Sequence, residues 1–87
     1  MGGLYGRYHG RLLRLARAAT DDGAWKSKLR EIFAEFDDDC LRLPGLDRDA
    51  IRGELASQVE LEALRFTDPV KRGVLTLALK HFDAGGR

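Results

Sequence analysis

The stretch WKSKLREIFAEFDDDC, residues 25–40, has the clearest periodic pattern of apolar residues in the chain. Residues at steps of three and four share one face of an α-helix, and the charged residues between them fall on the opposite face. The pattern therefore predicts a helix over residues 24–40 whose apolar face packs in a core. That face consists of Trp25, Leu29, Ile32, Phe33, Phe36 and Cys40.

Three further segments with helical spacing flank this stretch. The pattern predicts helices over residues 4–19, 47–66 and 69–82, and the last is apolar over more than half of its circumference. We expect the second and fourth helices to supply most of the core. The third has a less regular apolar face because Glu62 interrupts it.

The overall composition also favours helices over strands. The 87 residues include 14 Leu and 10 Ala, but only 2 Ile, 3 Val and 3 Thr, the β-branched residues that fill a pleated surface. We predict a compact all-α, four-helix bundle-like fold in a single domain, residues 1–87. The glycines near the start predict a frayed segment over residues 1–6, and residues 84–87 are expected to form a loose tail.

Turn-forming residues separate the four predicted helices. Proline and glycine end helices, and they occur in the breaks at residues 20–23, 43–45 and 67–69. Side-chain oxygens near the breaks can accept the free N–H groups at the start of the next helix. The candidate caps are Thr20, Asp21 or Asp22 for the second helix, Asp47 or Asp49 for the third, and Asp68 for the fourth.

A single cysteine, Cys40, limits the covalent and metal chemistry of the chain. It cannot form an internal disulfide or a cysteine-rich zinc site, and a lone thiol is typical of a reduced, cytoplasmic protein. The longest uncharged apolar stretch, residues 73–79, is far shorter than the ~20 residues that cross a bilayer. Residues 1–17 lack the apolar segment of a secretory signal. We predict a cytoplasmic protein without membrane contact.

No cluster of residue types in the sequence predicts catalysis or metal binding. The acidic run at residues 37–39 resembles the start of a calcium-binding loop, but Arg48 stands where that loop needs its final glutamate. His9 and His81 lie far apart in the sequence. A Cys40–His81 nucleophile pair would also need an orienting group and a pocket. We therefore predict a non-enzymatic protein with no metal ion and no cofactor.

Arginines with helical spacing form a basic ridge on the first predicted helix. Residues 1–18 carry a formal charge of +4, whereas residues 19–41 carry −4. The guanidinium fork suits phosphate because it donates two parallel hydrogen bonds, and aromatic rings beside it can stack on unpaired bases. The candidate anion or nucleic-acid contacts are Arg7, Arg11, Arg14, Arg17, Tyr5 and Tyr8.

The same ridge has a second interpretation, in which it pairs with the protein itself. If the first two helices pack antiparallel, the arginines face an acidic flank of the second helix that contains Glu31, Glu35 and Asp38. Exposed ion pairs of this kind contribute ~0–1 kcal/mol each. Tyr5 and Tyr8 also lie on the apolar face of their helix, which favours core packing for both rings.

The third and fourth predicted helices have more apolar surface than a small core buries. The candidate residues of a protein interface on them are Leu61, Leu64, Val70 and Leu77. Together with the separated charge blocks, this surface predicts a non-enzymatic interaction subunit or regulator. Its partner would be a larger protein, a multi-subunit complex or a second copy in a homo-oligomer.

The alternative function is contact with a nucleic-acid backbone through the basic ridge. An accessory subunit of a ribonucleoprotein would use the arginines in this way, and its binding would fall steeply with salt. The general shape is similar to that of small helical-bundle subunits of CRISPR effector complexes, an analogy of shape alone. The 11 Arg against 4 Lys and the absence of Asn indicate a GC-rich bacterial or phage genome.

Overall fold

Helical segments account for most of the chain. The computed structural model describes residues 3–85, which form four helices: α1 (Gly3–Ala18), α2 (Trp25–Cys40), α3 (Gly45–Ala63) and α4 (Pro69–Gly85). Residues 3–85 contain no strand, and α1 and α4 each pack against all three other helices. The radius of gyration is 12.4 Å, as expected for a compact chain of this length. The predicted all-α, four-helix bundle-like fold is confirmed.

Aromatic side chains from three helices form the centre of the core. Tyr8 of α1, Phe36 of α2 and Phe82 of α4 are fully or almost fully buried. The Phe36 ring meets Tyr8 at 5.2 Å and Phe82 at 5.0 Å between centroids, in edge-to-face arrangements. Leu55 and Val59 of α3 complete the core. All four helices therefore contribute, and α2 and α4 together supply eight of the fifteen buried apolar residues within residues 3–85, so the expectation that they supply most of the core is confirmed by a narrow margin.

The third helix begins two residues earlier than predicted. Pro44 has an extended backbone with ψ of 153°, and its carbonyl accepts the N–H of Arg48 at 3.0 Å, so the helix begins at Gly45. Asp47 and Asp49 consequently lie inside the helix and are not caps. Asp47 is in the first turn, where the positive end of the helix favours a negative charge.

Other helix ends also differ from the prediction. Helix α3 ends at Ala63, before the predicted residue 66, because the N–H groups of Arg65 and Phe66 turn back to the carbonyls three residues earlier. Helix α4 extends to Gly85, so the predicted loose tail is helical at its first two residues. No helix within residues 3–85 has an apolar run long enough to cross a bilayer.

The N-terminal glycines do not prevent helix formation. Helix α1 begins at Gly3, so the predicted fraying is wrong for residues 3–6, while residues 1–2 and 86–87 lie outside the described part of the chain. Each glycine in a helix costs ~1 kcal/mol relative to alanine. Leu4 and Tyr5 offset this cost because both pack against the core.

The turn between α1 and α2 is closed by an aspartate. Asp22 Oδ1 accepts the N–H of Ala24 at 3.0 Å and the hydroxyl hydrogen of Thr20 at 2.8 Å. Ala24 occupies the N-cap position of α2 and, within residues 3–85, no side-chain cap hydrogen bond forms there, so none of the three candidate residues caps the second helix and Asp22 closes the turn before it. Gly23 follows with φ of +79°, a left-handed conformation that glycine adopts without strain.

Gly53→Ala within α3 is expected to raise the free energy of unfolding by about 0.5–1 kcal/mol. Gly53 is exposed in the helix interior, and a methyl group added there meets no atom within 4 Å. Gly23→Ala is expected to lower the same free energy, because an L side chain is strained at the φ of Gly23. Thermal denaturation measures both changes in the free energy of unfolding. Changes of the same sign would contradict the assignment of a helical backbone to Gly53 and a left-handed backbone to Gly23.

Candidate interaction surfaces

Two arginines of α1 pair with acidic residues of α2. Arg11 donates from Nη1 and Nη2 to the two carboxylate oxygens of Glu35, at 2.9 and 3.1 Å. Arg7 Nη1 lies 3.6 Å from Asp39 Oδ2. The partners advance in opposite directions along the two helices, so α1 and α2 pack antiparallel and these two arginines pair internally. The hydrogen bonds from Arg11 hold the pKa of Glu35 below its ordinary value and raise the pKa of Arg11.

Arg14 and Arg17 lie beyond these ion pairs. Within residues 3–85, neither residue forms an ion pair. The Arg14 side chain folds back along α1, and its Nη1 lies 3.9 Å from the position that a Cβ of Gly10 would occupy. Arg17 is exposed, and its carbonyl accepts a hydrogen bond from Lys71 Nζ at 2.7 Å. Two of the four predicted arginines therefore pair with α2 and, in the described part of the chain, two do not.

An open groove of about 500 Å³ lies beside α1, and we call it the arginine groove. Three arginines and one glutamate line it, so its formal charge is +2. Arg17 does not line it, in contrast to the prediction for this residue. The lining residues are Gly6, Arg7, Gly10, Arg11, Arg14 and Glu35.

The two tyrosines predicted beside the arginines pack against the protein itself. Tyr8 has no exposed surface, and its hydroxyl donates to Asp39 Oδ2 at 2.5 Å. Burial and the carboxylate of Asp39 raise the pKa of Tyr8 to about 12. Tyr5 is half-buried and stacks on His9, with 5.5 Å between ring centroids. The prediction that Tyr8 can stack on bases is wrong, because its ring belongs to the core.

A second groove, which we call the α2–α4 groove, is mainly apolar. It has a volume of about 340 Å³ and is open to solvent. Two basic side chains of α2 lie in its lining, and its remaining lining residues are apolar or aromatic apart from one histidine. The lining residues are Trp25, Lys26, Leu29, Arg30, Phe33, Leu77 and His81.

Stacking and hydrogen bonds hold one wall of the α2–α4 groove in place. The rings of His81 and Phe33 are parallel within 3°, with 4.1 Å between centroids. His81 Nε2 lies 3.1 Å from Asp37 Oδ1, which also accepts a hydrogen bond from Arg52 Nη2 at 3.2 Å. Because helices α2, α3 and α4 meet at Asp37, the groove wall is part of the bundle and exists without a ligand.

Of the four residues predicted as an interface, one lines the α2–α4 groove. Leu61 and Leu64 are exposed near the end of α3, and Val70 is half-buried against the core. Only Leu77 lines the α2–α4 groove, where it is 42% exposed. The apolar spacing of α2 predicts Trp25 in the core, whereas its side chain is only partly buried against the core and lines this groove. The sequence signal for this exposure is the width of the apolar face of α2. A single partner helix cannot cover both edges of so wide a face, so residues at one edge remain exposed.

The position of Cys40 disfavours a nucleophilic role. Its side chain is buried in the bundle. Burial raises the pKa of the Cys40 thiol, so the reactive thiolate is scarce at neutral pH. His81 is engaged with Phe33 and Asp37 at the groove wall.

The two grooves offer different chemistry to a ligand. The α2–α4 groove offers apolar and aromatic surface with basic side chains at its rim, whereas the arginine groove offers charge and no aromatic ring. A search of protein-family models, curated proteins and solved structures finds no match for the chain. Function is therefore inferred from the chemistry of the grooves.

Proposed function

We propose that this protein is a non-enzymatic interaction subunit that binds a larger protein by holding one of its acidic, amphipathic helices in the α2–α4 groove. The observation that carries the proposal is a concave apolar surface bordered by two basic side chains. Trp25, Phe33 and Leu77 supply the apolar contact, and Lys26 and Arg30 supply the charge.

The length of the groove fits a short helical segment. Trp25 and Phe33 are eight residues apart on α2, a distance of about 12 Å along the helix axis at ~1.5 Å per residue. A partner helix crosses that distance in about two turns. It would therefore insert apolar side chains at positions i, i+3 or i+4, and i+7, the pattern of helices that bind in grooves.

The charge at the rim favours carboxylates on the partner. Lys26 and Arg30 lie one turn apart, and within residues 3–85 neither forms an ion pair. The first turn of α2 also contains no acidic residue. Opposite charges of this kind steer association and select against basic partners.

Other exposed leucines support this proposal less well. Leu46 is 85% exposed and Leu64 is 72% exposed, which is more than Leu77. Neither lines the α2–α4 groove. Single exposed apolar residues are common on soluble proteins, whereas a concave patch that combines aromatic rings with charge is typical of a binding site.

Leu77→Asp is expected to weaken partner binding at least ten-fold, because it places a carboxylate in the apolar part of a groove that receives an acidic helix. Leu46→Asp is the matched control, with the same chemical change outside the groove, and is expected to leave binding unchanged. Affinity capture from the source organism, after nuclease treatment, identifies proteins that the wild type retains and the Leu77→Asp variant loses. Cross-linking from Lys26 then maps the bound segment.

A cross-linked segment with apolar positions in helical spacing and an excess of Asp and Glu is the expected result. Titration of that segment into the protein should also change the fluorescence of Trp25, the single tryptophan. Equal capture by the two aspartate variants would contradict the proposal. It would also be contradicted by a non-helical or basic segment, by loss of all partners after nuclease treatment, or by a homodimer that Leu77→Asp dissociates.

A further inference from the structure

We propose that the arginine groove is a phosphate-binding site in which Arg14 and Arg7 donate hydrogen bonds to the ligand. This inference is independent of the α2–α4 groove, because the two grooves have no lining residue in common. It rests on the position of Arg14 over Gly10, on the weak attachment of Arg7, and on the open space above Gly6.

The Arg14 guanidinium has N–H donors that are available to a ligand. Its guanidinium forms no ion pair within residues 3–85 and folds back over Gly10 into the groove. A guanidinium can donate two parallel hydrogen bonds to one phosphate group. Gly6 and Gly10 leave the helix surface open beside it, and a Cβ added at Gly6 would meet no atom within 4 Å. A larger side chain at either position would fill the place where the ligand lies.

Arg7 can turn towards a ligand at little cost. Its side chain is 60% exposed, and its 3.6 Å separation from Asp39 is beyond hydrogen-bond length. Asp39 also accepts hydrogen bonds from the Tyr8 hydroxyl and from Arg42 Nη1. The Asp39 carboxylate therefore remains satisfied when Arg7 moves away.

Arg11 contributes charge to the groove and, unlike Arg7 and Arg14, is not proposed to donate hydrogen bonds to the ligand. Both oxygens of Glu35 hold it in place, so it contributes positive charge at a fixed position and is not expected to turn. The three arginines and Glu35 leave the groove with a formal charge of +2, which attracts a phosphate group. No aromatic ring lines the groove, so a nucleic acid would be held by its backbone without selection of bases.

The phosphate group has two possible sources, a free phosphate compound or the backbone of a nucleic acid. Isothermal titration with inorganic pyrophosphate and with a short oligothymidylate, at low and at raised salt, distinguishes them. Tighter binding of the oligonucleotide with a steeper dependence on salt identifies a nucleic-acid backbone. Equal or tighter binding of pyrophosphate identifies a free phosphate compound.

Arg14→Gln is expected to weaken binding of the better probe at least ten-fold, and Arg7→Gln at least three-fold. Arg17→Gln is the matched control, because it removes the same charge from the same helix outside the groove, and it should change binding less than two-fold. Leu77→Asp should leave phosphate binding unchanged, so failure of one proposal does not imply failure of the other. Circular dichroism verifies that each variant is folded. Equal weakening by Arg14→Gln and Arg17→Gln, or binding of neither probe at low salt, would overturn the inference.

Discussion

Phe36→Ala is expected to lower the free energy of unfolding by about 3–5 kcal/mol, the usual cost of truncating a buried phenylalanine. The Phe36 ring has no exposed surface and contacts Tyr8 of α1 and Phe82 of α4. The guanidinium of Arg52 lies 5.3 Å from its ring centroid, so α3 also meets this ring. Its removal leaves a cavity among all four helices. Folded proteins are stabilised by about 5–15 kcal/mol in total, so this loss is a large fraction of the stability.

Chemical denaturation with urea, followed by circular dichroism, measures this loss. Leu46→Ala is the control, because it also truncates a large apolar side chain but at a position that is 85% exposed. Its effect should stay within about 0.5 kcal/mol. Similar losses in the two variants would show that Phe36 is not at the centre of the core.

Tyr8→Phe is expected to cost about 1.5–3 kcal/mol at neutral pH, the range for a hydrogen bond to a charged group. The Tyr8 hydroxyl donates to Asp39 Oδ2, and the substitution keeps the ring while it removes the donor. The variant should keep the core packing of the wild type. Urea denaturation of the two proteins at pH 7 measures the difference.

The same tyrosine predicts a loss of stability at high pH. Burial first, and then the Asp39 carboxylate, raise the pKa of Tyr8 from its ordinary value of 10.0 to about 12 in the folded protein. Below pH 10 the hydroxyl is protonated in both states, so its stabilising contribution is complete. Between pH 10 and about 12 the unfolded chain releases this proton first, and the free energy of unfolding falls.

Tyr8→Phe should therefore lose less stability than the wild type between pH 10 and 12. Tyr5→Phe is the comparison, because within residues 3–85 no hydrogen bond of the Tyr5 hydroxyl is observed. It should cost little at neutral pH. An identical decline with pH in the wild type and the Tyr8→Phe variant would contradict the role assigned to the Tyr8–Asp39 hydrogen bond.

The residues of α2 illustrate how much of the fold the sequence predicts. Spacing alone identifies the helix to within one residue at its start, whereas none of the three predicted caps forms a cap hydrogen bond to it within residues 3–85. The prediction is less accurate for α3, where Pro44 occupies the N-cap position that the sequence predicts for Asp47 or Asp49. Apolar spacing and capping residues are both local signals. At the start of a helix, a proline and a nearby aspartate can each predict the N-cap position.

The interaction surfaces are harder to predict than the helices. Antiparallel packing of the first two helices was one of two interpretations of the arginines, and the Arg11–Glu35 pair agrees with it. Nothing in the spacing distinguishes Arg14, which lines the arginine groove, from Arg17, which does not. Spacing also places Tyr8 both beside the arginines of the basic ridge and on the apolar face of the first helix, so it leaves the role of Tyr8 open. Only the packed helices decide which neighbour each side chain meets.

The sequence by itself determined that this chain forms four helices, because helical periodicity and turn residues act between neighbours along the chain. The tertiary structure alone decided which apolar residues remain exposed. Trp25 and Leu77 are separated by more than fifty residues, yet they line one groove because α2 and α4 pack side by side. Side chains from distant segments meet only when the core closes, so binding surfaces depend on packing and not on periodicity.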